Sequence, residues 1–350
     1  MVAEVQPGLM TNDSRCGINF SEGRWPLVFI YSVVFTLALV AHLLTLGPII
    51  QQVRSHNILG VYLLNLSLSD LLYTLTVPLW IHYYYNNHTW HMGRHVCHIA
   101  GFIYYSNTYI SIFMLCFISL DRCLAVSFPL WAKAFRKPRY GWYISAFVIL
   151  GVMGVHLPVA LVNSNNNTLV NGSSEMKDCY DSYPLSTLVA KFNYIRITFG
   201  FLVPLALLIF CNFQVFKGVR KSSSIQDKSK RKVKLLSIWV IVIFAFCFAP
   251  YHIILFLRTI MSSLHPGSCD FDRHVHHLFS FSLAMSSLNS VADPFLYVFS
   301  SNCVREDLTE ISRSFCAHLG HRWPPHSSSK LSIRQLSTRV VTSWTALDKI

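Results

Sequence analysis

Between Ile99 and Leu120 the chain carries no charged side chain, and then Asp121 and Arg122 stand side by side. A run of that length matches the hydrocarbon core of a bilayer, which a helix crosses in about 20 apolar residues. Seven runs of this kind occur, at roughly 26–50, 58–82, 97–121, 141–162, 193–216, 235–259 and 275–299. In lipid every backbone N–H and C=O must be paired, so long single runs of this kind take the form of helices. The expected fold is an all-α membrane protein, a seven-transmembrane helix bundle.

Composition agrees. The 350 residues are 53% hydrophobic and 13% charged, against about 25% charged in soluble domains. The expected parts are a polar N-terminus (1–25), the bundle (26–300), a short amphipathic helix along the membrane surface (301–316) and a tail (317–350). The surface helix is read from apolar Val304, Leu308, Ile311 and Phe315 at helical spacing. The start, MVAEVQPGLM, has no basic or apolar region of a signal peptide, so the first span is expected to act as its own targeting signal. A net charge of +13 is read as basic cytosolic loops, not as nucleic-acid binding.

Two signals orient the bundle. Lys133, Arg136, Lys137 and Arg139 follow span 3, and the run QDKSKRKVK follows span 5; basic loops of this kind stay in the cytosol. The Asn-X-Ser/Thr sequons at Asn12, Asn19, Asn87, Asn166 and Asn171 all fall on the other side. A further one at Asn65 lies inside span 2, where no use is expected. The N-terminus is therefore expected outside a plasma membrane crossed several times. Cys16, Cys97, Cys179 and Cys269 lie in the polar segments of that side, enough for two disulfides with three possible pairings.

Asp121 and Arg122 then sit at the cytosolic end of span 3. One reading is a helix end at the water boundary, with the arginine snorkelling. The other is an ion pair that holds a conformational switch. Pro204, Pro250 and Pro294 lie inside spans and favour kinks, because each removes a backbone hydrogen bond. Asp70 and Asp293 are carboxylates in apolar runs. They are read as sharing a proton, water or a sodium ion, or as purely structural hydrogen-bonding groups.

In order along the chain stand NLSLSD, Trp90 with Cys97, the DRC form of an Asp-Arg-Tyr motif, Pro158, Pro204, FCFAP and DPFLY. With these motifs the chain resembles class A (rhodopsin-like) G-protein-coupled receptors over roughly 25–315. The resemblance implies a disulfide between Cys97 and Cys179. It implies Arg122 held near Asp121 at rest and released when span 6 swings outward to admit a heterotrimeric G protein, with Pro250, Asp293, Pro294 and Tyr297 in the switch. Arrestin-like and kinase regulators are the family's further partners. Departures stand at His42, Cys123, Val148, Asn212, Phe248 and Asp293, where the family usually has asparagine, tyrosine, tryptophan, tyrosine, tryptophan and asparagine. YLLNLSLSDLLYTLTVPLW, CYDSYPL, FCFAPYH and SLNSVADPFLY resemble the proton-sensing and oxidised-lipid receptor subfamily. Gly151 replaces the buried span 4 glutamate of the proton sensors, which moves the reading toward the lipid branch.

Sixteen histidines give a second candidate sensor, because imidazole titrates in the physiological range. His82, His91, His95, His156, His252, His274 and His277, with Asp70 and Asp293, are the candidates for acid sensing. For an anionic ligand the candidates are Arg196 and Arg258 in the outer halves of spans 5 and 6, with Tyr109, Phe248 and His252. A cation facing the bundle interior suits a carboxylate or phosphate headgroup; an internal pair with Asp178 or Asp181 is the alternative. Cys316 is a candidate for palmitoylation.

The expected function is a G-protein-coupled receptor for an oxidised or conjugated fatty acid or lysolipid-like anion, with acid sensing as the alternative. No cofactor and no metal is expected. No nucleophile–base or metal-ligand spacing stands in a plausible site, so an enzyme is not expected. A transporter or proton channel would use the same intramembrane acids, but the odd number of spans and the lack of inverted repeats speak against it.

Overall fold

The computed structural model describes residues 16–128, 132, 136–166, 179–180, 183–185, 187–221 and 227–300. Among these residues seven helical spans follow one another. They are α1 (Arg24–Arg54), α2 (Ile58–Tyr85), α3 (Arg94–Ser127) and α4 (Pro138–Asn166). Span α5 comprises Thr187–Ile197, a π-helical turn Thr198–Leu202 and Val203–Lys221. Span α6 comprises Asp227–Ile243, a π-helical turn Phe244–Phe248 and Ala249–Leu264. Span α7 comprises Asp270–Ser287 and Asn289–Ser300.

Six of the seven are long and apolar enough to cross a membrane without interruption. The exception is α7, for a local reason. Its first turns hold Asp270, Asp272, Arg273 and three histidines. At Leu288 the backbone tightens, with Leu288 N–H bonding to the Met285 carbonyl at 3.1 Å.

The packing inverts that of a soluble protein. Phe29, Leu43, Phe147, Leu150, Phe199 and Phe213 face outward, as a lipid-facing surface requires. Inside lie aromatic and aliphatic clusters together with a polar set that includes His42, Asp70, Asn107, Ser111, Asn289 and Asp293. In α1 the buried residues are Leu27, Tyr31, Val34, Ala38, His42, Thr45, Ile49 and Gln52. Steps of three and four put them on one stripe.

The prolines act in two ways. Pro204 and Pro250 each follow a widened π-helical turn, Thr198–Leu202 and Phe244–Phe248. A proline ring clashes with the carbonyl four residues back, and an inserted residue relieves that clash. Pro294 follows the tight turn at Leu288 instead.

Cys97 bonds Cys179, with α-carbons 5.7 Å apart, and Cys16 bonds Cys269, at 5.3 Å. Of the three pairings, this is the one formed. These bonds define the disulfide end of the bundle; the other is the basic end. The surface helix (301–316), the tail (317–350), Cys316, Asn12, Asn171, Asp178 and Asp181 lie outside the described residues, as does the side chain of Asn166.

Candidate functional site

Four spans converge on Arg196. The guanidinium is buried, its central carbon 4.7 Å from the ring centroid of Tyr105 on α3. Its Nη1 lies 3.5 Å from Asn193 Oδ1, one turn earlier on α5. Tyr109, one turn beyond Tyr105, packs between His156 of α4 (centroids 5.1 Å) and His252 of α6 (5.7 Å). His252 stacks flat on Phe201 of the α5 π-turn, at 4.3 Å and 7°. Tyr180, the residue after the bonded Cys179, closes the group over Tyr105 at 5.5 Å. Burial pushes its phenol above the usual value, and so does Tyr105; Arg196 pulls the other way.

The polar atoms of this group are left open. His156 Nδ1 donates to the Val152 carbonyl and His252 Nδ1 to the Phe248 carbonyl, both at 2.8 Å. Each Nε2 is therefore the free position of its ring. Among the described residues, His156 Nε2, His252 Nε2, Tyr109 OH, Asn193 Nδ2 and Arg196 Nε are buried without a hydrogen-bond partner. Buried polar groups are otherwise nearly always paired. The guanidinium, phenol and amide offer donors, with the chemistry to hold an anion that carries an apolar tail, and the two Nε2 atoms offer acceptors suited to a hydroxyl.

A second polar set lies toward the middle of the bundle. Asp70 Oδ1 accepts from Asn107 Nδ2 at 2.8 Å, from Asn289 Nδ2 and Ser290 Oγ at 3.3 Å, and from Ser111 Oγ at 3.5 Å. His42 bridges the three helices: Nε2 donates to the Ser290 carbonyl at 2.9 Å, and Nδ1 meets Ser67 Oγ at 2.9 Å. The departure at His42 thus keeps α1, α2 and α7 connected. Asp70 Oδ2 and both oxygens of Asp293 have no hydrogen-bond partner among the described residues.

At the basic end Asp121 Oδ2 accepts from Arg122 Nη2 at 2.9 Å. Tyr297 is buried in the large core cluster, and Pro250 and Pro294 stand inside α6 and α7. Asn212 bonds the Leu208 carbonyl at 2.9 Å and lies 3.5 Å from Ser119 Oγ, so it turns toward α3 without reaching Arg122.

Some expected site residues are placed elsewhere. Arg258 does not join Arg196. Its Nε bonds Asp272 Oδ1 at 2.8 Å, and its guanidinium sits over Phe279 (4.3 Å) and Tyr183 (5.0 Å). Asp272, two residues into α7, pairs with it, and Arg258 walls a separate cavity of about 280 Å³ at the disulfide end. Phe248 is fully buried in the core cluster against Phe244, with ring centroids 5.8 Å apart. His82, His91, His95 and His274 face solvent, and His277 is partly exposed 3.7 Å from Glu22.

His88 and His276 belong to the outward-lying group of histidines in the sequence, though not to the seven singled out for acid sensing. His88 and His276 are buried, with ring centroids 5.2 Å apart. Phe20 packs on both, at 4.8 and 4.9 Å, and Tyr183 OH bonds His276 Nδ1 at 2.8 Å. The N-terminal segment is fastened over them by the Cys16–Cys269 bond and by Arg273 Nε to the Cys16 carbonyl at 3.0 Å. No local pattern reveals this, because the lid comes from the far end of the sequence.

Residues 43–297 match the family model described as 7 transmembrane receptor (rhodopsin family). The chain is 37% identical to the mouse protein named Probable G-protein coupled receptor 132, over 88% of this chain and 79% of that one. It is 33% identical to bovine G-protein coupled receptor 68, over 87% and 82%. It is 29% identical to human Lysophosphatidic acid receptor 6, over 85% and 87%.

Proposed function

This chain belongs to the rhodopsin family of seven-transmembrane receptors, which signal through heterotrimeric G proteins, and from that premise we propose that its ligand is an anionic lipid seated on Arg196. The ligand is a fatty acid or lysolipid-like molecule whose carboxylate or phosphate meets Arg196, Asn193 and Tyr109. Its chain lies among Tyr105, Phe201 and Tyr251. The observation that carries this reading is the set of three buried donors without partners, Arg196 Nε, Asn193 Nδ2 and Tyr109 OH. The name of one relative, a lysophosphatidic acid receptor, agrees with a lipid anion.

In this reading the disulfide end with its sequons faces outward and the basic end faces the cytosol. Ligand contact on α5 and α6 bears on the two π-turns, and motion of α6 frees Arg122 for the G protein. Arrestin-like and kinase regulators then act at the cytosolic tail. Acid sensing is the second reading, favoured by one specific feature, the lidded pair His88 and His276.

The test is second-messenger output in cells carrying the receptor, beside cells without it. External pH is stepped from about 8 to about 6, across the histidine range, with and without an oxidised fatty acid. A response to lipid at constant pH that Arg196→Gln removes is expected. A steep acid response without lipid, unchanged in Arg196→Gln, would replace the lipid reading with the proton reading.

A further inference from the structure

Asp121 holds two arginines, not one. Arg122 takes Oδ2 from the same helix at 2.9 Å. Arg136, from the segment joining α3 to α4, takes Oδ1 through Nε at 2.7 Å and approaches Oδ2 through Nη2 at 3.4 Å. The Asp121 side chain is 3% exposed, that of Arg122 18% and that of Arg136 32%. The backbone holds Arg136 in position: its N–H bonds the carbonyl of buried Ala132 at 2.9 Å, and Ala132 N–H bonds Phe128 at 2.9 Å.

The neighbouring end of α6 has no acid to offer Arg122. It reads Asp227, Lys228, Ser229, Lys230, Arg231, Lys232, Val233, Lys234. Its one carboxylate, Asp227, is fully in solvent and 3.6 Å from Lys230. Among the described residues, then, no ion pair fastens α6 to Arg122. Among the described residues, the carboxylate that restrains Arg122 sits on α3 itself.

We propose that Arg136 is a positioning residue for G-protein coupling: it remains on Asp121 when Arg122 leaves. Releasing Arg122 alone would abandon a nearly buried carboxylate, and breaking a buried pair on one side is strongly unfavourable. With Arg136 in place the carboxylate keeps a bidentate partner throughout. Arg136 also weakens the resting pair, because two guanidiniums on one carboxylate repel each other. Both effects favour the released state. Arg136 thereby sets the resting bias of the switch, whichever ligand acts above.

The test measures binding of nucleotide-free G-protein heterotrimers, each α-subunit class in turn, to membranes containing the full-length receptor without ligand. Binding is normalised to surface receptor. Arg136→Gln is expected to weaken binding roughly tenfold, a fraction of the effect of fully orphaning a buried charge because Arg136 is partly solvated. Arg136→Lys keeps the charge and is expected to restore most of it. Asp121→Asn removes the carboxylate, so Arg136→Gln added to Asp121→Asn is expected to change nothing further. Binding by Arg136→Gln equal to or tighter than wild type overturns the proposal. So does a tenfold loss that persists in the Asp121→Asn background, since Arg136 would then touch the G protein directly or only hold the segment in shape. Absence of binding by wild-type membranes for every class would count against coupling at this end altogether, and the proposal would fall with it.

Discussion

His42 Nε2 stands 3.6 Å from Asp70 Oδ2 while donating to the Ser290 carbonyl, so one imidazole ties α1 to both α2 and α7. Replacing it with an apolar residue leaves the Ser67 hydroxyl and the Ser290 carbonyl unpaired in the bundle. His42→Leu is expected to cost about 2–4 kcal/mol, the usual penalty for two unmade buried hydrogen bonds. Thermal unfolding in detergent should show the lowered midpoint, and His42→Asn should recover part of it. An unchanged midpoint in His42→Leu would mean that the bridge contributes no net stability.

Arg196 governs potency in the lipid reading. A hydrogen bond to a charged group contributes about 1.5–3 kcal/mol, so Arg196→Gln is expected to raise the half-maximal concentration of a fatty acid roughly 10- to 100-fold. The methyl ester of the same acid should be equally weak on both receptors. An ester as potent as the free acid would remove the need for a cation.

The open ring nitrogens should favour an oxidised lipid. His156 and His252 each commit Nδ1–H to a backbone carbonyl and keep Nε2 free as an acceptor. A hydroxyl on the fatty-acid chain would donate there, so a hydroxylated acid is expected to be roughly 5- to 10-fold more potent than its unhydroxylated parent, for one hydrogen bond of about 1 kcal/mol. His252→Phe, which keeps a ring on Phe201, should reduce that difference. A difference of the same size in His252→Phe would place the hydroxyl elsewhere.

Acid acting without lipid is expected to work at His88 and His276. Two imidazoliums with centroids 5.2 Å apart repel by about 3 kcal/mol at an intermediate dielectric. Charging both rings would therefore oppose the lidded arrangement. The neighbouring groups are Tyr83, Tyr84 and Tyr183, with Glu22 facing His277 nearby. His276→Phe should abolish an acid response that His274→Gln leaves intact, because His274 faces solvent. The opposite pattern, read by second-messenger output against pH, would place the sensor on the surface.

Gly200 gives a steric test of the pocket. A methyl group there would stand 2.5 Å from Tyr109 Cε1. Gly200→Ala must displace that ring, at a strain of about 1–3 kcal/mol. Lipid potency should fall while surface expression holds. Full potency would show that Tyr109 does not shape the site.

The spans were legible because lipid imposes a simple rule on them: length and apolarity suffice. The Asp70 and Asp293 carboxylates were legible for the same reason, as charges where none are expected. Arg196 could be read because a cation in the middle of a span needs a purpose. Arg258 obeyed the same rule and was placed differently, since its partner Asp272 lies in the first turn of another helix, 14 residues on. His88 and His276 were hidden because their enclosure depends on Phe20, and Phe20 is brought there by a bond between Cys16 and Cys269, 253 residues apart. Arg136 appeared in the sequence as one basic residue among several. Only the fold singles it out by setting it on Asp121.

The bond between Cys16 and Cys269 also makes the chain a closed covalent ring of α1 to α6, with α7 leaving it as a branch. The branch point lies one residue before α7 begins and eight before α1 counted from the other cysteine. Helices α1 and α7 are thus tethered to one knot at the disulfide end. Their relative movement has its fulcrum there, and its greatest travel falls at the opposite tips.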